Sequence, residues 1–175
     1  MSCILQQQEG GGTVAVMSFN RERLLYDIEN NAHIEGDAME SEDGHSRHLV
    51  QDIAEEGNID RVLRVVDLSI AECREMLYCF TKYDVDRPEL DNALNIPESY
   101  GIVLTLPSGF SQTTLNLLER QVHEYVVCKA VADWMSITHP DRVEGWAAKA
   151  ASAKTWIQTK LQARTGRTRR PMHPF

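Results

Sequence analysis

Apolar side chains recur at steps of three and four along most of this chain, a spacing that predicts helices. The clearest run is Ile59, Val62, Leu63, Val66, Ile70, Cys73, Leu77 and Phe80. Asp60, Arg61, Arg64, Asp67, Arg74 and Glu75 fall largely off that stripe. The pattern predicts a long amphipathic helix, opened by an Asn58 cap and ending near Tyr83. An earlier helix is expected from Phe19 to about Met39, with Ser18 as its cap and Leu24, Leu25, Ile28 and Ala32 facing inward. Gly36 weakens its far end, and the stretch 41–44 breaks the pattern. A second helix follows from about His45 to Glu56, with Leu49, Val50 and Ile53 inward and Gly57 just past its end.

The period changes after Asp84. Pro88, Pro97 and Pro107 exclude a continuous helix. Between two of these prolines, Tyr100 to Leu106 is β-rich and reads as a strand. Its partner is either Leu90 to Ile96, as a hairpin, or the short segment Thr13 to Val16. A helix is expected from about Gln112 to Ile137. Its stretch Tyr125 to Trp134 is apolar on most sides, which belongs in the middle of a bundle. Pro140 suits the first turn of a last helix over about 140–164. Its inner face is read as Val143, Trp146, Ala147, Ala150, Ile157 and Leu161. Ala147, Ala148, Ala150, Ala151 and Ala153 would let a neighbouring helix approach closely.

The fold class that emerges is mainly α. It is a four- to five-helix bundle with a small β-hairpin or extended loop inserted between the third and fourth helices. Residues 1–17 read as a flexible N-terminal lead, with Gln6 to Gln8 and Gly10 to Gly12 as its polar and glycine-rich parts. Residues 18–164 form the helical domain, with the insertion at about 84–110. Residues 165–175 form a basic C-terminal tail.

Charge changes the picture more than composition does. The 175 residues suit one domain, with ordinary apolar (42%) and charged (25%) fractions. The net charge of −8 is unevenly divided. Residues 1–100 hold 8 Lys and Arg against 21 Asp and Glu, whereas residues 101–175 hold 10 against 5. Opposite fields at two ends favour head-to-tail contact between copies and argue against coating nucleic acid along the whole chain. No stretch approaches the ~20 apolar residues that span a bilayer. The N-terminus lacks the basic and apolar regions of a signal peptide. Cys3, Cys73, Cys79 and Cys128 form no Cys-x-x-Cys pair, so a reducing, cytoplasmic location is expected.

Candidate chemistry is sparse. His33, Asp37, Glu42, His45 and His48 form the only polar cluster with metal-ligand character. Glu42 and His45 have the Glu-x-x-His spacing of di-iron bundles, but no second such motif occurs and Gly44 interrupts this one. There is no nucleophile elbow, phosphate loop or His-Glu-x-x-His. Cys128, on an apolar face, reads as an inert core residue, and His123 and His139 read as surface or cap residues. Trp134 and Trp146 flank the turn between the last two helices and are expected to pin it. Trp156 lies about 80° around the helix from Trp146, at the stripe's edge, where a partner can reach it. Arg164, Arg167, Arg169 and Arg170 precede Pro171 to Phe175. Four arginines in seven residues can meet phosphates or an acidic protein surface, and the terminal Phe175 suits an extended docking peptide.

The layout resembles the small helical head–tail connector (adaptor or head-completion) proteins of tailed phages and prophages. Three parts carry the resemblance. The run Tyr125 to Trp134, followed by a Pro turn and Trp146, looks like the end of such domains. The Pro-bounded strand Gly101 to Leu106 sits where their inserted loop sits. The polar C-terminal tail matches the arms by which their neighbours clasp each other. The resemblance implies a virion-assembly protein forming a homo-oligomeric ring, with portal and tail proteins as partners and no catalytic residue or cofactor. Two other readings stand beside it. One is a metal-binding helical protein or enzyme using the cluster from His33 to His48. The other is a regulatory module contacting nucleic acid through the arginine tail.

Overall fold

A computed structural model describes residues 4–7, 12–39, 44–81, 97–107 and 110–162. The elements in chain order are β1 (Ile4–Gln7), β2 (Gly12–Asn20), α1 (Arg21–Asp37), α2 (Gly44–Gln51), α3 (Ile59–Met76), α4 (Tyr78–Thr81), β3 (Ser99–Pro107), α5 (Gln112–Thr138) and α6 (Val143–Gln162). Short 3-10 turns at Asp52–Ala54 and Pro140–Arg142 link α2 to α3 and α5 to α6. The protein is mainly α-helical, as the three-and-four spacing predicts.

The helix α5 is the organising element. Tyr125, Val126, Val127, Cys128, Ala130, Val131, Trp134 and Met135 are all buried on it. Helices α1, α2, α3 and α6 each pack against it. Over the stretch Tyr125 to Met135 this helix is apolar on most sides, so its neighbours must surround it there. The buried face of α6 is Trp146, Ala150, Ala153 and Ile157. Ala147, expected inside, is exposed, and Ala153 takes the inward place. Both are alanines near the edge of the stripe, where composition cannot tell the faces apart. The helix α3 stops at Met76, short of the expected end near Tyr83. Its cap Leu77 leaves helical geometry (φ −96°, ψ 8°), and the single turn α4 follows. Leu77 is 1% exposed, so the break keeps this side chain in the core.

The sheet departs most from expectation. Its strand order is β1-β2-β3, antiparallel throughout. The strand Ser99–Pro107 pairs with Gly12–Asn20, with Ala15 opposite Leu104, Met17 opposite Ile102 and Phe19 opposite Tyr100. Of the two partners considered, the N-terminal segment is the one used. The alternative hairpin partner, residues 90–96, lies outside the described residues. Residues 12–17 are therefore the centre strand of the sheet, not part of a flexible lead. Ala15, Met17, Phe19, Tyr100, Ile102, Leu104 and Leu106 point to one side and join the same core as the helices. This period-two alternation in Ala15, Met17 and Phe19 buries alternate side chains on one face. It also moves the start of α1. Phe19 is held in the strand, so the cap is Asn20 rather than Ser18, its Oδ1 accepting from Arg23 N–H at 3.0 Å.

Two tryptophans tie the layers together. Trp134 Nε1 donates to the Val50 carbonyl at 2.9 Å, joining α5 to α2. Trp146 Nε1 donates to Glu35 Oε1 at 3.1 Å, joining α6 to α1. Each is buried near the α5–α6 turn, and each also anchors a more distant element.

Candidate functional site

The helices α1 and α2 meet at Gly36. A Cβ there would lie 2.7 Å from Gln51 Cγ, so glycine is what leaves room for the Gln51 side chain against α1. Asp37 then holds the junction, accepting from Arg47 and, at 3.0 Å, from Gln51 Nε2. Asn58 Nδ2 donates to the Asp52 carbonyl at 2.8 Å and fixes the turn that follows α2.

These contacts leave an open cleft of about 320 Å³ beside the junction, lined by Glu29, His33, His48, Gln51, Asp52, Ala54 and Glu55. Three carboxylates and two imidazoles line it, and no lysine or arginine does. His33 Nε2 lies 4.0 Å from Glu29 Oε1, one helical turn away, with both side chains about half exposed. Such a cleft is rich in acceptors and suits a cationic group. A guanidinium's planar fork can meet carboxylates in pairs.

The cluster expected from sequence is only partly assembled. His33 and His48 share the cleft. Asp37 is diverted to Arg47 and Gln51. Glu42 lies outside the described residues, as does the side chain of His45. Among the described residues, no group of three or more His, Cys, Asp and Glu side chains is placed to hold a metal ion. The tail residues Arg164, Arg167, Arg169, Arg170 and Phe175 also lie outside the described residues.

Trp156 is half-buried at the edge of the α6 stripe, where the spacing puts it. Two grooves flank it. One of about 450 Å³ is lined by Ala151, Ser152, Thr155, Trp156 and Thr159. The other, about 480 Å³, runs between α5 and α6 and is lined by Gln121, Glu124, Gly145, Ala148, Lys149, Ser152, Ala153 and Trp156.

Two polar clusters escaped the sequence reading. His123 is not a surface residue. It is 8% exposed, and its Nε2 lies 2.8 Å from Asp27 Oδ2. Arg23 Nε reaches the same oxygen at 3.2 Å. One turn back on α5, Glu119 is 6% exposed, and neither its Oε1 nor His123 Nδ1 has a hydrogen-bond partner. The Glu119-x-x-x-His123 spacing was the available signal, since residues four apart share a helix face. The second cluster centres on Glu72 of α3, which accepts from Tyr125 Oη and Lys129 Nζ of α5. Burial pushes the Glu72 carboxyl up, but the hydrogen bonds from Lys129 and Tyr125 and the Lys129 charge outweigh it, leaving it below the ordinary carboxyl value. Burial, together with Glu72, pushes the Tyr125 hydroxyl up.

The two buried thiols, Cys73 and Cys128, offer no nucleophile. Burial pushes Cys73 and Cys128 up to about 12, which keeps both neutral and unreactive. His139 caps α5, its backbone N–H donating to the Met135 carbonyl at 2.8 Å. Among the described residues no helix is long and apolar enough to cross a membrane. Comparison with family models, with curated proteins and with solved structures finds no match to this chain.

Proposed function

We propose that this protein is a structural assembly component that joins copies of itself head to tail, as the ring-forming head–tail connectors of tailed phages do. The observation that carries this reading is the acidic cleft between α1 and α2, lined by Glu29, Asp52 and Glu55 without a lysine or arginine. The chain also supplies a matching cation, the arginines at 164, 167, 169 and 170. In this reading the arginine tail of one copy enters the cleft of the next. Tail and cleft are different surfaces, so the contact is heterologous, and repeated contacts close into a ring when the rotation between copies allows. A portal or tail protein would supply the template on which the ring closes. The protein would then act in the cytoplasm and remain with the particle.

The energetics favour an assembly that is weak until templated. An exposed ion pair contributes about 0–1 kcal/mol, so several arginines must act together. Such contacts are screened within about 8 Å at physiological salt.

Size-exclusion chromatography with light scattering tests the proposal on the full chain, on a chain lacking residues 164–175, and on Glu29→Lys with Glu55→Lys. Association beyond a dimer that falls with salt and is lost in both variants is the expected result. Such association unchanged by both variants would remove the proposal. Salt-sensitive DNA binding that needs the tail, without self-association, would replace it with the nucleic-acid reading.

A further inference from the structure

The outer face of α6 is built unlike a free surface. A solvent-facing helix side ordinarily carries charge. Here Gly145, Ala148, Ser152, Thr155 and Thr159 follow one another at steps of three, four, three and four. That alternation is the seam of a helix pair, and side chains this small bring two backbones close. Trp156 stands half-buried beside the seam, between the grooves of about 450 and 480 Å³.

We propose that α6 packs against α6 of a second copy, antiparallel, about a two-fold axis through Ser152. This contact goes beyond the tail-to-cleft contact and does not depend on it. The two-fold is favoured because the seam matches itself under it. Rotation about Ser152 lays Trp156 on Ala148 of the second copy and Thr159 on its Gly145, large against small in both cases. Gly145 has the room, since nothing lies within 4 Å of a Cβ placed there.

Charge selects the same axis. The helices α5 and α6 form an antiparallel hairpin across the turn Pro140–Arg142, so Glu124 lies level with Trp156. Lys149 lies in the same groove, two turns away, about 10 Å along the axis. The rotation reverses these ends and places Lys149 of each copy beside Glu124 and the Trp156 ring of the other. Both partners are available. Among the described residues neither Glu124 nor Lys149 forms an ion pair. Lys149 Nζ now rests 3.8 Å from the Trp146 ring centre, and Glu124 Oε1 accepts only a thiol contact from Cys128 at 3.5 Å. A second copy is the occupant that supplies an identical small-residue seam and a lysine at the required distance together. Because the contact is isologous, it closes at two copies.

The test uses the full chain with Cys3→Ser and Cys79→Ser. Ser152→Cys lies on the axis and should give a disulfide-linked dimer under mild oxidation. Thr159→Cys alone should not, whereas Thr159→Cys with Gly145→Cys should. Lys149→Glu should weaken self-association at least tenfold by light scattering, and Lys149→Glu with Glu124→Lys should restore it, which a folding defect would not do. Glu29→Lys with Glu55→Lys should leave the Ser152→Cys cross-link unchanged, so failure of the cleft contact and failure of this one are separable. A monomer with no Ser152→Cys cross-link, or a charge swap that does not rescue, overturns the proposal. So does a dimer whose cross-links form at Thr159→Cys alone, which would mean a different axis.

Discussion

Gly36 lies so close to Gln51 that a Cβ on it would fall 2.7 Å from Gln51 Cγ and 3.1 Å from both Cδ and Nε2. Alanine at this helical position would gain about 0.5–1 kcal/mol of backbone entropy if the site were open. The site is closed. Gln51 would have to swing away and give up its 3.0 Å bond to Asp37, and forcing a methyl group into a packed contact costs about 1–3 kcal/mol. Gly36→Ala is expected to destabilise the protein by about 1 kcal/mol, measured by urea unfolding. A gain in stability would show that α2 is not held where the cleft requires it.

Glu119 buries a carboxylate oxygen with no partner while only 6% of the residue is exposed. An unsatisfied buried acceptor costs about 1–3 kcal/mol. Methionine has similar length and no such requirement. Glu119→Met should raise stability by about 1 kcal/mol or more in chemical denaturation, with the Asp27–His123 contact kept. A loss of stability would mean that the carboxylate has a partner in solution.

Glu72 makes stability depend on acidity. Burial raises its carboxyl, the Lys129 and Tyr125 contacts together lower it by more, and the net position is below the ordinary 4.5. A carboxyl depressed in the folded state contributes stability above its unfolded value, and that contribution is lost as pH falls through the folded value. The side chain is 43% exposed, so solvent screens the effect and it should be modest. On lowering pH from neutral to below 4.5, the natural chain should lose more stability than Glu72→Gln does. Equal acid limbs in the two unfolding profiles would show that Lys129 and Tyr125 do not hold the carboxylate.

The helices were legible because a helix makes its hydrogen bonds to itself, four residues back, and writes its buried face into its own spacing. The central place of α5 followed from the stretch Tyr125 to Trp134, apolar on most sides, and Trp156 fell where the stripe's geometry put it. The tertiary structure decided what depends on a distant neighbour. A strand bonds to another segment, and four residues from Thr13 to Val16 could not announce that they would pair with Leu106 to Val103. For the same reason the cap moved from Ser18 to Asn20, because Phe19 was claimed by Tyr100 across the sheet. His123 looked like a lone surface histidine until α1 brought Asp27 within 2.8 Å. The metal-like cluster shows the reverse, since spacing grouped His33, Asp37 and His48, but packing gave Asp37 to Arg47 and Gln51. Local periodicity determined which segments are helical and most of what turns inward, although Leu49 and Ala147, both expected inside, are exposed. Only packing decided which polar groups meet, because their partners lie far away along the chain.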